Sequence, residues 1–284
     1  MRNPMLRSLV AAAILLWTAG AAHAADTMDW AKSYSAAAAT AKSSNRLIMV
    51  DFYTDWCHWC KVLDSDTYTD KKVIAVSRQL VPVKVNAEKE GVAQAKKYGI
   101  TGYPTILFLN ADGSVEGKIV GYQAGPAFAE SMTKLITAHR ELPLLEAAMA
   151  KNPNDSETAA KLAPLYAGKG DTEKTAAALK IVETNSPKSP ALPGLYNALG
   201  DAYQNSEKFP QAIAQFTKAI ATGTAAKEVA YAHISIAFCY LQQNKLKEAV
   251  PELEATIATP NAPADLVKQA QDVLPKVKTA IEKG

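Results

Sequence analysis

The chain has 284 residues, 48% of them apolar, with 31 lysines and arginines against 28 acids and a net charge of +3. That apolar content supports real cores, and the length is enough for two domains. So even a charge balance excludes a nucleic-acid binder or a protein held to membranes by a basic surface.

Met1–Arg7 is a short basic segment, an apolar stretch runs from Leu9 to Trp17, and Ala22-His23-Ala24 precedes Ala25-Asp26. This pattern predicts a secretory signal peptide over residues 1–24, cut after Ala24. The alternative is an uncleaved anchor, although the apolar run is short against the ~20 residues of a membrane span. Losing the leader removes Arg2 and Arg7 and no acid, which takes the net charge to about +1. No later stretch is long and apolar enough to cross a bilayer, so a soluble, periplasmic protein is expected.

The alanine-rich stretch Thr27–Ser44, with Trp30 and Tyr34, predicts a first amphipathic helix. Leu47–Tyr53 reads as a buried strand, leading to Cys57-His58-Trp59-Cys60 and a helix through Leu63. Asp70 is the expected N-cap of a short helix through Val76. Val81–Val85 is the next strand, followed by a helix around Ala93–Tyr98. After Thr105–Leu109, Asn110-Ala111-Asp112-Gly113 is a hairpin turn signal, and Ser114–Tyr122 returns as a strand. Gly125-Pro126 opens a helix from Ala127 to about His139. Strands alternating with helices and ending in a hairpin predict an α/β fold with a mixed sheet over residues 25–140.

The chemistry sits in the two cysteines. Cys57 clears the strand and falls at the first helical turn, where the helix dipole and unpaired N–H groups favour a thiolate. Cys60, one turn on, is within reach for a disulfide, which leaves one exposed nucleophilic sulfur and one resolving thiol. Zinc sites use the same spacing but need four ligands, and the remaining cysteine, Cys239, lies about 180 residues away with no His pair to complete a set. No metal and no bound cofactor are expected. In an oxidising compartment the pair could also be a structural staple, although so short a loop restrains little chain. Phe238-Cys239-Tyr240 lies on a helical pattern, so Cys239 reads as a small core residue.

Residues 46–139 resemble thioredoxin. The resemblance rests on Val50-Asp51-Phe52-Tyr53 before Trp56-Cys57, Val83-Lys84-Val85-Asn86, and Tyr98-Gly99-Ile100-Thr101-Gly102-Tyr103-Pro104-Thr105. The stretch from Lys61 to Asn86 is especially similar to the periplasmic C-terminal domain of DsbD, which passes electrons to exported thiol proteins. The resemblance implies a thioredoxin fold and a role for each matching residue. Cys57 would attack a partner disulfide and Cys60 would resolve the mixed disulfide. Asp51 would be the buried acid that takes the Cys60 proton, its pKa raised towards neutrality, with Lys84 as its neighbour. Pro104 would be the cis-proline facing the disulfide, Tyr103 would pair its backbone with a substrate segment, and Trp56 would shield the disulfide. Duller roles for Asp51, Lys84 and Trp56 stay open at this point: a hydrogen-bonded strand residue, a solvated cation and simple packing.

Between the cysteines the chain departs from thioredoxin, with His58-Trp59 where thioredoxin has Gly-Pro. A protonated His58 would favour the reduced form and a more oxidising protein, as a histidine does in DsbA. Trp59 offers an apolar plate to a partner. The family resemblance leans reductive and His58 leans oxidative, so the direction of electron flow stays open.

Beyond His139 the pattern becomes helical throughout. Leu162-Ala163-Pro164-Leu165-Tyr166, Leu199-Gly200-Asp201-Ala202-Tyr203 and Ile236-Ala237-Phe238-Cys239-Tyr240 recur every 37 residues. Leu179, Phe216 and Leu253 keep the period, as do Thr175, Ala212 and Ala249. Helical hairpins with small residues at crossings predict an all-α solenoid over 141–284, and the segments resemble tetratricopeptide repeats (TPR). The expectation is three stacked pairs, with Glu141–Asn152 as a half-repeat leading in, Asp265–Glu282 as a cap, and the residues beyond the usual 34 in loops between hairpins. Such arrays bind an extended peptide or a protein on the concave face. Tyr231, Ile234, Phe238 and Leu241 fall on the expected inner stripe, and packing against the cap explains them equally well. His139 and His233 lie far from the cysteines and take no catalytic role.

The function expected is an exported thiol–disulfide oxidoreductase. It would act on protein thiol and disulfide partners recruited by the TPR domain, with a membrane electron donor as a further partner. A scaffold that binds proteins through the repeats, with redox activity secondary, is the alternative. A chaperone that holds unfolded chains independently of both cysteines is a third.

Overall fold

A computed structural model of the chain describes residues 27–283; the leader expected over 1–24 lies outside the described residues. The N-terminal part is built on four strands, β1 (Ile48–Tyr53), β2 (Val81–Asn86), β3 (Thr105–Leu109) and β4 (Val115–Val120), in the order β2-β1-β3-β4. β1 runs parallel to β2 and antiparallel to β3, and β4 closes a hairpin with β3. The sheet is therefore mixed, as the alternation of strands and helices predicts. β1 is central and covered on both faces, which is why its sequence is a near-continuous apolar run.

Alternate side chains along β1 feed two cores. Met49 joins Leu63, Val73, Phe108 and Phe128 on one face, while Ile48, Val50 and Phe52 join Val83, Leu107 and Ala41 on the other. The helices on these faces are α1 (Tyr34–Ser44), α2 (His58–Val62), α3 (Lys71–Ser77), α4 (Val92–Lys97) and the start of α5 (Gly125–Lys151). Asp70 caps α3 as expected, accepting from the N–H groups of Lys72 at 2.7 Å and Val73 at 3.2 Å. The β3–β4 turn places Gly113 at φ +83°, a conformation that explains the glycine of the turn signal.

Two helix boundaries differ from the sequence expectation. The first helix starts at Tyr34, capped by Ser33, rather than at Thr27. The preceding residues are drawn onto the sheet edge, where the Ala31 N–H donates to the Pro82 carbonyl at 2.8 Å and Ala31 bridges Val83. α5 does not stop near His139 but continues to Lys151, absorbing the separate helix expected over 141–152, with Pro143 inside it. A proline there forfeits a backbone hydrogen bond. Packing holds the helix on both sides: Phe128, Ala129, Met132 and Ile136 lie in the core under Met49, and Leu142, Leu145 and Met149 pack against the core of the helical second half.

The second half is a helical solenoid. Its antiparallel pairs are α6 (Ser156–Gly168) with α7 (Thr172–Asn185), α8 (Leu192–Asn205) with α9 (Phe209–Thr222), and α10 (Ala226–Gln242) with α11 (Leu246–Ala258), closed by α12 (Ala264–Lys283). The 37-residue period is carried by the backbone as well as by the side chains. Gly170, Glu207 and Asn244 occupy the same turn position, all with φ between 57° and 74°. One residue further on, the N–H groups of Asp171, Lys208 and Lys245 return to the carbonyls of Tyr166, Tyr203 and Tyr240 at 2.9–3.0 Å. This 6→1 bond with a left-handed residue satisfies the carbonyls at the end of the first helix of each pair. The surplus residues are divided between the link Ser186–Ala191 and the longer α10, rather than confined to loops.

Of the stripe Tyr231, Ile234, Phe238 and Leu241, the last three pack with Leu253, Ala270 and Val277 of α11 and α12. Packing against the cap thus accounts for those three, while the Tyr231 hydroxyl donates to both Asp201 carboxylate oxygens at 3.0 Å. Cys239 is buried in the core, where desolvation pushes its thiol up to about 11.

Candidate functional site

The residues singled out in the first half converge at the end of β1 and the start of α2. Cys57 is the N-cap of α2, and its sulfur accepts from the Cys60 N–H at 3.1 Å. The two cysteines are joined as a disulfide. Both are buried, which corrects the expectation of an exposed Cys57. The capping geometry explains it: the sulfur turns back over its own helix start rather than out to solvent. The same geometry places a cysteine sulfur against the Cys60 N–H at the positive end of a helix, the arrangement that stabilises a thiolate.

Aromatic groups ring the disulfide segment. Trp56 is 67% and Trp59 52% exposed, among the most exposed large apolar side chains described. Trp56 meets Tyr103 edge-on at 5.9 Å, and its indole N–H donates to Glu88 at 2.9 Å. Trp59 lies between His58, at 5.4 Å, and Tyr122, at 5.3 Å. The Tyr103–Pro104 bond is cis, and Pro104 receives the Gly121 N–H on its carbonyl at 2.9 Å. Asp55, beside Trp56, is held by Lys89 at 2.7 Å and by the Asn86 amide at 2.9 Å, which tie the loop before Cys57 to the end of β2.

Asp51 is fully buried on β1, directly across from Lys84 on β2. Burial pushes its carboxyl up to about 7; the Lys84 ammonium, 3.8 Å away, opposes that rise, and the Asp64 charge adds to it. Lys84 is not a solvated cation. It forms an ion pair with Asp64 and sits over the rings of Tyr53 at 5.1 Å, Trp30 at 5.6 Å and Tyr68 at 5.8 Å. A single lysine thus bridges a buried carboxyl and a half-exposed one inside an aromatic cage.

All nine residues expected at the site lie on β1, β2 and α2 or in the loops that lead into α2 and β3: Asp51, Trp56, Cys57, His58, Trp59, Cys60, Lys84, Tyr103 and Pro104. Sequence reasoning missed Trp30, Tyr53, Asp64, Tyr68 and Tyr122. Asp64 carried a faint signal, four residues after Cys60 on a helix; Tyr68 and Tyr122 carried none, because a local distortion of the helix and the β4 hairpin bring them in. Among the described residues no cluster of His, Cys, Asp and Glu suits a metal ion, and no helix is long and apolar enough to cross a membrane.

Residues 34–136 match the family described as thioredoxin-like domain. The chain is 28% identical over 107 residues to the thiol:disulfide interchange protein DsbD of Ralstonia nicotianae, covering 36% of this chain and 18% of that protein. It is 31% identical over 96 residues to DsbD of Salmonella typhi, covering 32% and 17%. It therefore spans less than a fifth of the length of these relatives. Among solved structures, the oxidised C-terminal domain of Neisseria meningitidis DsbD aligns at 26% identity and a TM-score of 0.31, over 35% of this chain and 90% of that one. Residues 34–136 are thus a thioredoxin-like domain with a cysteine pair at the Cys-x-x-Cys spacing, followed by a helical solenoid.

Proposed function

We propose that this protein is an exported thiol–disulfide oxidoreductase that reduces disulfides in periplasmic protein partners recruited by its solenoid, read as a TPR domain. The observation that carries the reading is the Cys57–Cys60 disulfide at a helix start, on the same few elements as a buried carboxyl that titrates near 7. In the reduced protein the Cys57 thiolate attacks a partner disulfide, forming a mixed disulfide and expelling one partner thiolate. Asp51 takes the proton of Cys60, whose thiolate attacks the Cys57 sulfur and expels the second partner thiolate. The partner leaves with two thiols, and this protein is left with the Cys57–Cys60 disulfide. An electron donor, a membrane protein in this reading, then restores the dithiol. Lys84 favours the ionised form of Asp51 and so holds its pKa below what burial alone would give. Pro104 and Tyr103 present an extended partner segment beside the disulfide, and Trp56, His58 and Trp59 form the contact surface.

In insulin reduction with a dithiol donor, Cys57→Ala is expected to abolish turnover. Full activity in that variant overturns the enzymatic reading. The direction of flow is read from the potential of the couple equilibrated against glutathione. A value near the roughly −270 mV of thioredoxin is expected for a reductant, and one near the roughly −120 mV of DsbA overturns the reductive direction.

A further inference from the structure

Tyr68 is placed by an unusual piece of helix. After α2 the chain makes one π-helical turn, Leu63–Thr67, and the Tyr68 N–H closes it onto the Leu63 carbonyl at 2.9 Å. A π turn inserts one residue relative to an α-helix and so rotates the next residues by roughly a quarter turn about the axis. Tyr68 is carried inward by it and is buried. Its ring is fixed edge-on against Trp30 at 5.0 Å and Phe128 at 5.8 Å. The hydroxyl lies beside the Asp51 carboxyl without closing a hydrogen bond to it. Among the described residues no other group partners that hydroxyl, and neither Asp51 oxygen has a hydrogen-bond partner. A buried phenol and a buried carboxyl each lacking a partner, side by side, is a costly arrangement unless one serves the other.

We propose that Tyr68 is a positioning residue for Asp51, its hydroxyl donating a hydrogen bond to the carboxylate in the ionised state that precedes uptake of the Cys60 proton. The assignment of that proton rests on the function proposed above. When Asp51 is ionised, the phenol donates to it and stabilises the base. When the Cys60 proton arrives, the carboxyl is neutral and the phenol no longer has a charge to stabilise. Lys84 and Asp64 are the other charged groups facing Asp51: the lysine stabilises its charge and the acid opposes it. Lys84 cannot serve Asp51 alone because it is shared with Asp64. Tyr68 supplies the directional donor that the lysine, at 3.8 Å, does not.

The test reads Asp51 directly in the oxidised protein, where neither active cysteine titrates. The infrared carbonyl band of protonated Asp51, identified by its loss in Asp51→Asn, is followed against pH. Tyr68→Phe, which removes one oxygen, is expected to raise the midpoint by about one pH unit. Tyr34→Phe, which removes a phenol paired with Tyr98 away from the site, is expected to leave it in place. An unmoved midpoint in Tyr68→Phe overturns the proposal. If that variant does not fold, 3-fluorotyrosine placed at position 68 offers a more acidic donor of nearly the same shape. It is expected to lower the midpoint, and no shift again overturns the assignment. The titration needs no turnover, so its failure is distinct from a failure of insulin reduction in the wild-type protein.

Discussion

Asp51→Asn is expected to make the folded protein more stable at pH 8 and, at the same time, a poorer catalyst. The sign follows from linkage. The carboxyl titrates near 7 when folded and at 3.8 as its unperturbed value, so the folded state holds the proton more tightly. The folded state therefore bears no penalty below about pH 4, a growing one as the pH rises towards 7, and its full size above that. The interval sets an upper bound of about 4 kcal/mol, and relaxation around the charge reduces it to roughly 2–4 kcal/mol. Urea unfolding of both proteins at pH 5 and pH 8 reads this as a stability gap that widens with pH. A gap that does not change with pH contradicts a carboxyl ionised against its surroundings. The same substitution removes the group proposed to take the Cys60 proton, so the mixed disulfide with a partner should persist about a hundredfold longer near neutral pH. Trapping that species with a model disulfide and quenching in acid measures its lifetime.

The second large effect lies in the solenoid. Phe216 is fully buried where α9 crosses α8, with its ring against the backbone of Gly200. A Cβ built at Gly200 falls 2.5–2.8 Å from three ring carbons, closer than any side chain tolerates. The glycine is needed for that close approach rather than for an unusual backbone angle. Phe216→Ala is expected to cost about 3–5 kcal/mol, seen as a lowered urea midpoint of the helical circular dichroism signal. Gly200→Ala alone should cost about 1–3 kcal/mol by overpacking. Combined with Phe216→Leu it should cost less than the sum of the two single changes, because the smaller side chain frees the space the new methyl needs. Strict additivity in that cycle refutes the contact as the reason for the glycine.

How much of this was legible beforehand varies with the kind of signal. The strand β1, the N-cap at Asp70 and the 37-residue register of Leu162, Leu199 and Ile236 are local or periodic, and each was read from the chain. Pairing of Lys84 with Asp51 was inferred from resemblance, and the parallel register of β1 and β2 supplies its physical cause. The aromatic cage around that lysine was not legible. Trp30 arrives because the chain before α1 docks on β2, and Tyr68 because of the π turn; neither leaves a periodicity. The expected break after His139 failed for a related reason. The change of pattern beyond His139 is local, while contacts with two cores on either side of Pro143 hold the helix intact.

That unbroken α5 also orders events in time. A chain made from its N-terminus can close the core under Met49 and Phe108 only when Phe128, Met132 and Ile136 have been synthesised. The residues that come next on the same helix, Leu142, Leu145 and Met149, are the first apolar surface offered to the solenoid. Completion of the disulfide-bearing domain therefore lays down the seed on which α6 and the later pairs assemble, before most of their sequence exists. During synthesis the segment acts as a handover point, and Cys57 and Cys60 are in place ahead of the solenoid proposed to recruit their partner.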